Sequence, residues 1–212
     1  MQIESVNVGQ AETISHNGKS MRTGICKTPR QGSIRVTSLG LEEDAVCNEE
    51  HHGGVDQAVY AYSLEDYEWW AEKLGTALPP GTFGDNLTIR GMPTDMQVGD
   101  RLLIGDVVLE ATSPRIPCST LSMRLKDSSF ALEFRRAERP GIYFRVLNEG
   151  DVRAGDAVTF VENEQGTVAI SDLVRFYYDL SPEASELERL LLAPVAERFR
   201  EKIEKKLAAI SG

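Results

Sequence analysis

The sequence predicts a mostly β fold with short helices, a barrel or a sandwich, followed by a helical segment. Three observations predict it. From Gln2 to about Phe160, short runs rich in apolar and β-branched residues alternate with glycine turns, the rhythm of many short strands. Val98-Gly99-Asp100 and Ala154-Gly155-Asp156 are near copies, each placed just before a strand-like run. After the polar stretch Glu162-Asn163-Glu164-Gln165-Gly166 the apolar spacing becomes helical. A β domain over 1–162 and a three-helix domain over 167–210 are therefore expected.

The clearest strand runs are 3–8, 33–39, 58–62, 101–104 and 107–112. Gly105-Asp106 joins the last two as a hairpin, with glycine supplying the positive φ of a tight turn. Two helices interrupt the β section. Ser63 can cap a helix over 64–74, with Asp66 completing a capping box and Gly75 ending it. Its apolar face would be Leu64, Tyr67, Ala71 and Leu74. A second runs near 130–137, where Phe130 and Phe134 stand one turn apart, and Pro140-Gly141 ends it. In the tail, one helix holds Val168, Leu173, Val174 and Tyr177. A second starts at Ser181-Pro182-Glu183, and a third at Pro194 repeats Val195, Phe199, Ile203 and Leu207 every four residues.

The chain has 212 residues, 41% of them hydrophobic, and a formal net charge of −10. That charge disfavours nucleic acid as the main ligand, because a phosphate polymer selects a positive field. Its three cysteines, Cys26, Cys47 and Cys118, are widely spaced and form no Cys-x-x-Cys pair, which argues against a zinc ribbon, an iron–sulfur cluster and a disulfide framework. The first residues do not combine a basic region with an apolar one, and no stretch is long and apolar enough to span a membrane. A soluble cytoplasmic protein without membrane partners is expected.

Several stretches could carry chemistry. Ser113-Pro114-Arg115-Ile116-Pro117-Cys118 sets a thiol after a stiff proline segment and beside a guanidinium, which favours thiolate. Such a thiolate ligates a soft metal or carries sulfur; equally, it is a small core residue behind a turn. In His51-His52-Gly53-Gly54 the glycines let the backbone approach a ligand and His52 can donate to an anion, or the stretch is a turn entering a strand. Asp85 and Asn86 stand in a glycine loop where they could bond a donor-rich heterocycle, or form an Asx turn. Lys27 could reach a phosphate or stay solvated. Over 115–145, seven basic residues against three acids leave a local charge of +4, suited to an anionic ligand or to a solvated face.

The order of these motifs resembles the MOSC family. Thr23 to Lys27, His52 to Tyr62, Gly84 to Leu87, Val98 to Arg101, Pro114 to Cys118 and Gly141 to Asp156 carry the resemblance, which spans nearly the whole chain. The helical tail looks like the small α domain of the bacterial YiiM-like branch. The resemblance implies a closed antiparallel β-barrel that binds the molybdenum cofactor, with Cys118 as molybdenum ligand and Arg115, Lys27, His52, Gly53, Gly54, Asp85 and Asn86 around the cofactor. It also implies reduction of small N-hydroxylated compounds, including hydroxylaminopurine-type bases, with electrons from a separate donor protein. The alternative is a non-catalytic carrier of cofactor or sulfur on Cys118. Two positions depart from the family pattern: many relatives have Glu where Asp85 stands and a basic residue where Gln57 stands.

Overall fold

The computed structural model describes residues 1–47, 53–93 and 95–211. Strands β1 (Gln2–Val8), β2 (Glu12–His16), β3 (Lys19–Thr23), β4 (Thr28–Pro29), β5 (Ile34–Thr37), β6 (Gly40–Leu41) and β7 (Val59–Ser63) precede helix α1 (Leu64–Leu74). Then come β8 (Leu87–Arg90), β9 (Arg101–Ile104), β10 (Val107–Pro114), α2 (Ser119–Arg124), α3 (Phe130–Ala137), β11 (Ile142–Asn148), β12 (Gly150–Val152) and β13 (Thr159–Val161). The tail is α4 (Ile170–Tyr178), α5 (Ala184–Leu191) and α6 (Glu197–Ser211).

Eight strands form one sheet in the order β13-β9-β10-β11-β7-β8-β1-β4. The expected closed antiparallel barrel needs correcting on two counts. β7 and β8 pair parallel, because the chain returns to the same end of the sheet through α1. No ladder joins the two edges of the sheet among the described residues. Instead β1 meets the segment just before the three-residue β13, through an isolated bridge from Gln2 to Ala157 and bonds such as Ile3 N–H to the Asp156 carbonyl (2.9 Å).

The local signals translate into structure through their turns. Gly105 adopts φ 55° between Ile104 and Val107, which pair directly. The two near-copy turns are built alike: Gly99 and Gly155 have φ 92° and 93°, and Asp100 and Asp156 each accept the N–H three residues earlier, at 2.7 and 2.9 Å. α3 has the expected span; a left-handed Glu138, ahead of Pro140, closes it. In α1, Ser63 Oγ accepts the Asp66 N–H and Gly75 caps the C-terminus as expected. The Asp66 carboxylate, however, turns away to pair with Arg139, so the capping box is incomplete. The buried face of α1 uses Tyr67 and Trp70, while Leu74 is exposed. Trp70 is favoured because Phe83, Phe130 and Phe134 wait for it in an aromatic cluster.

The tail is fastened to the sheet. Asn163 bonds Asp100 and the Val98 carbonyl, Val98 N–H reaches the Val168 carbonyl (2.8 Å), and Ile170 N–H reaches the Met96 carbonyl (2.9 Å). Leu173, Phe176, Leu187, Leu190 and Ile203 belong to the same apolar cluster as Val98, Leu109 and Ala111 of the sheet region. The second and third tail helices begin slightly later than the sequence suggests, at Ala184 and Glu197.

Candidate functional site

β10 brings the chain to a cavity of about 410 Å³, and Arg115 and Cys118 both line it. Cys118 occupies the N-cap position of the short helix α2 with extended backbone (φ −128°) and a half-buried side chain. Arg115 is 4% exposed. Its guanidinium lies over the rings of Tyr60 (5.2 Å) and Phe134 (5.9 Å), and its Nη1 donates to the Phe83 carbonyl. Its Nε is buried and has no partner among the described residues. Burial opposes its charge, but Tyr60, Tyr143, Cys118 and Asp85 outweigh that, so Arg115 titrates above its ordinary value. A charged guanidinium held over aromatic rings, with a donor unused, has the chemistry to receive an anion.

Lys27 also lines the cavity, but it is buried and ion-paired with Asp44. Burial lowers its pKa against the pull of Asp44. Asp44 in turn accepts the Gly9 N–H (2.8 Å) and Asn86 Nδ2 (2.9 Å). Asn86 lines the cavity with its carbonyl end on the Tyr60 N–H (3.2 Å). Lys27, Asp44 and Asn86 thus form a cross-linked wall in which the lysine charge is already answered.

Asp85 stands elsewhere. It is fully buried, does not line the cavity, and accepts from Tyr67 Oη (2.6 Å), Thr88 Oγ1 (2.7 Å) and Asn7 Nδ2 (3.2 Å). Burial raises its pKa against those hydrogen bonds. Those three donors hold the Asp85 carboxylate in the core, so of the Asp85-Asn86 pair only Asn86 reaches the cavity. Gly53 lines it at φ 78°, where a Cβ would come within 2.9 Å of Val46 Cγ1. Gly54 does not line it, and His52 lies outside the described residues.

The basic run over 115–145 is not one surface. Arg139 pairs with Asp66, and Arg145 with Asp56 (2.9 Å) and Glu110 (3.7 Å). Of that run, only Arg115 lines the cavity among the described residues. Sequence reasoning missed four contributors: Asp44, Cys47, Tyr60 and Tyr143. Tyr60 and Tyr143 sit inside two of the motifs already recognised, whereas Asp44 and Cys47 follow no local pattern. Cys47 is exposed. Cys26 does not line the cavity, and burial with a Glu12 hydrogen bond pushes its thiol up to about 11. No group of three or more His, Cys, Asp or Glu side chains able to hold a metal ion exists among the described residues.

Comparison with known proteins agrees with this architecture. The MOSC domain family model matches residues 48–159. YflK of Bacillus subtilis (strain 168) is 30% identical, over 95% of this chain and 92% of its own. The crystal structure of YiiM from Geobacillus stearothermophilus superposes with a TM-score of 0.80 at 28% identity, covering 97% of this chain and 98% of that one. A protein of Gibberella moniliformis (strain M3125 / FGSC 7600) named "Reductase" is 30% identical over 71% of this chain, which matches 32% of that protein's length. The chain belongs to the MOSC domain family and has the YiiM-like form of it.

Proposed function

We propose that this protein is a molybdenum-cofactor-dependent reductase of small N-hydroxylated compounds, hydroxylaminopurine-type bases among them, with Cys118 as the molybdenum ligand. The observation that carries the reading is that Cys118 and buried Arg115, whose Nε has no partner among the described residues, line one cavity. The residues fit the group. A thiolate is the soft donor that suits molybdenum, and a stacked arginine suits a phosphate. The cavity's roughly 410 Å³ falls in the range of small-molecule sites, about 300–1,000 Å³.

When bound, the cofactor supplies two-electron redox chemistry. The chain's own residues do the rest. Arg115 holds the anionic part, the Lys27–Asp44–Asn86 wall shapes the pocket, and Gly53 lets backbone come close. In the reaction the N–O bond breaks, two electrons arrive from a separate donor protein, and two protons complete an amine and water. The name "Reductase" carried by the Gibberella moniliformis relative supports the redox reading. The three cysteines are not disulfide-bonded, and no described helix is long and apolar enough to cross a membrane; both support the cytoplasmic location that this reading includes.

The test is metal analysis with pterin fluorescence on protein purified from a cofactor-competent host. Molybdenum and pterin in equal amounts, retained through dialysis, are expected. Protein that emerges with neither overturns the proposal.

A further inference from the structure

The helical tail reaches the cavity through one side chain. The start of α6 is fastened to the cavity's frame: Glu197 N–H donates to Asp56 Oδ2 (2.8 Å) and Ala196 N–H to the Thr112 carbonyl (3.2 Å). Thr112 Oγ1 meanwhile bonds the carbonyls of Asp56 (2.6 Å) and Tyr143 (3.0 Å). From this anchored turn, Arg198 Nη1 donates to Gln57 Oε1 at 2.7 Å, and Gln57 lines the cavity.

That bond has a chemical consequence. A glutamine amide can offer an acceptor or a donor to a ligand. With the guanidinium bonded to Oε1, the amide is turned so that its NH₂ group is free to donate on the other side. Arg198 also acts electrostatically on the Tyr143 phenol, a cavity residue that feels Arg115 and Cys118 as well.

We propose that Arg198 is a positioning residue for anion binding: it holds the Gln57 amide with its NH₂ toward the cavity, as a donor to a phosphate-bearing ligand. The three-helix tail is then part of the binding site. The inference rests on the reading that the cavity takes an anionic ligand.

Calorimetric titration of the full-length chain with inorganic phosphate at low ionic strength tests it, using the parent, Arg198→Gln, Arg198→Lys, Gln57→Glu and Arg115→Ala. Arg198→Gln should bind phosphate about tenfold more weakly, the loss of roughly one charge-assisted interaction, at unchanged melting temperature. Arg198→Lys should recover most of it. Gln57→Glu keeps the acceptor for Arg198 and replaces the donor with a carboxylate, so it should abolish binding even if Arg198→Gln proves too unstable to assay. Parent-like affinity in Arg198→Gln or in Gln57→Glu, with Arg115→Ala impaired, overturns the role of Arg198 and leaves the anion site standing. A parent that binds no phosphate overturns both.

Discussion

The guanidinium of Arg115 lies 5.2 Å from the centroid of the Tyr60 ring, and its Nε is left unpartnered. The ring contacts hold the guanidinium at the cavity, where its charge is what an incoming anion would meet. Arg115→Ala should therefore weaken retention of the cofactor by about 1.5–3 kcal/mol, the worth of a hydrogen bond to a charged group. Arg115→Lys should recover little, because an ammonium neither stacks nor presents a planar fork. Cofactor content after dialysis is the measurement; unchanged content in Arg115→Ala removes this residue from the site.

The three thiols should differ in reactivity. Cys47 is exposed, Cys118 is half-buried at the cavity, and the Cys26 thiol is pushed up to about 11. Thiolate is the reactive form, so alkylation at neutral pH should reach Cys47 first and Cys26 last. Bound cofactor should protect Cys118 and Cys47, which line one cavity, and leave Cys26 unaffected. Peptide mapping of timed iodoacetamide reactions reads this directly; Cys26 reacting ahead of the others contradicts it.

Asp85 gives a pH dependence of definite sign. Burial raises its folded pKa above the unfolded value of about 3.9. Below the unfolded value the protonated acid costs the fold nothing. As pH rises through the folded pKa, the buried group must ionise and that relative stability is lost. Asp85→Asn removes this dependence, so parent and variant should converge or cross as pH rises from about 4 toward neutrality. Urea unfolding of both proteins across that range checks it; a stability difference independent of pH contradicts it.

The tail shares its core with the sheet. A chain ending at residue 162 should keep its β-type circular dichroism, because the ladders of the large sheet lie before that point. It should also melt at lower temperature and bind a hydrophobic dye, since loss of the helices uncovers apolar residues such as Val98 and Leu109. Loss of the β signal would show that the 1–162 boundary is not that of a folding unit.

What was legible in the sequence was local. The Gly105-Asp106 hairpin, the paired Gly-Asp turns, α3 and the cap of α1 each depend on residues within one turn of each other. The parallel β7–β8 pair was not legible, since its direction follows from how α1 packs. Trp70 displaced Leu74 from the buried face because aromatic partners arrive from Phe83, Phe130 and Phe134, which are distant in sequence. The site shows the same division. Arg115 and Cys118 sit three residues apart on a stiff segment and were visible together. Asp44 was not, because it matters only where Lys27 and Asn86 meet it in space. Asp85 looked equivalent to Asn86, but Tyr67 and Asn7, both distant in sequence, hold its carboxylate in the core instead.

If Cys118 is the molybdenum ligand, replacing its soft thiolate with a hydroxyl should remove the metal's protein donor. Cys118→Ser is nearly isosteric, so the fold should survive and the melting temperature should hold. The measurement is molybdenum-dependent reduction of an N-hydroxylated base by holo protein with a reductant-coupled donor, parent and variant purified from the same host. Turnover should collapse in Cys118→Ser and persist in Cys26→Ser and Cys47→Ser. Parent-like turnover in a folded Cys118→Ser protein would contradict it.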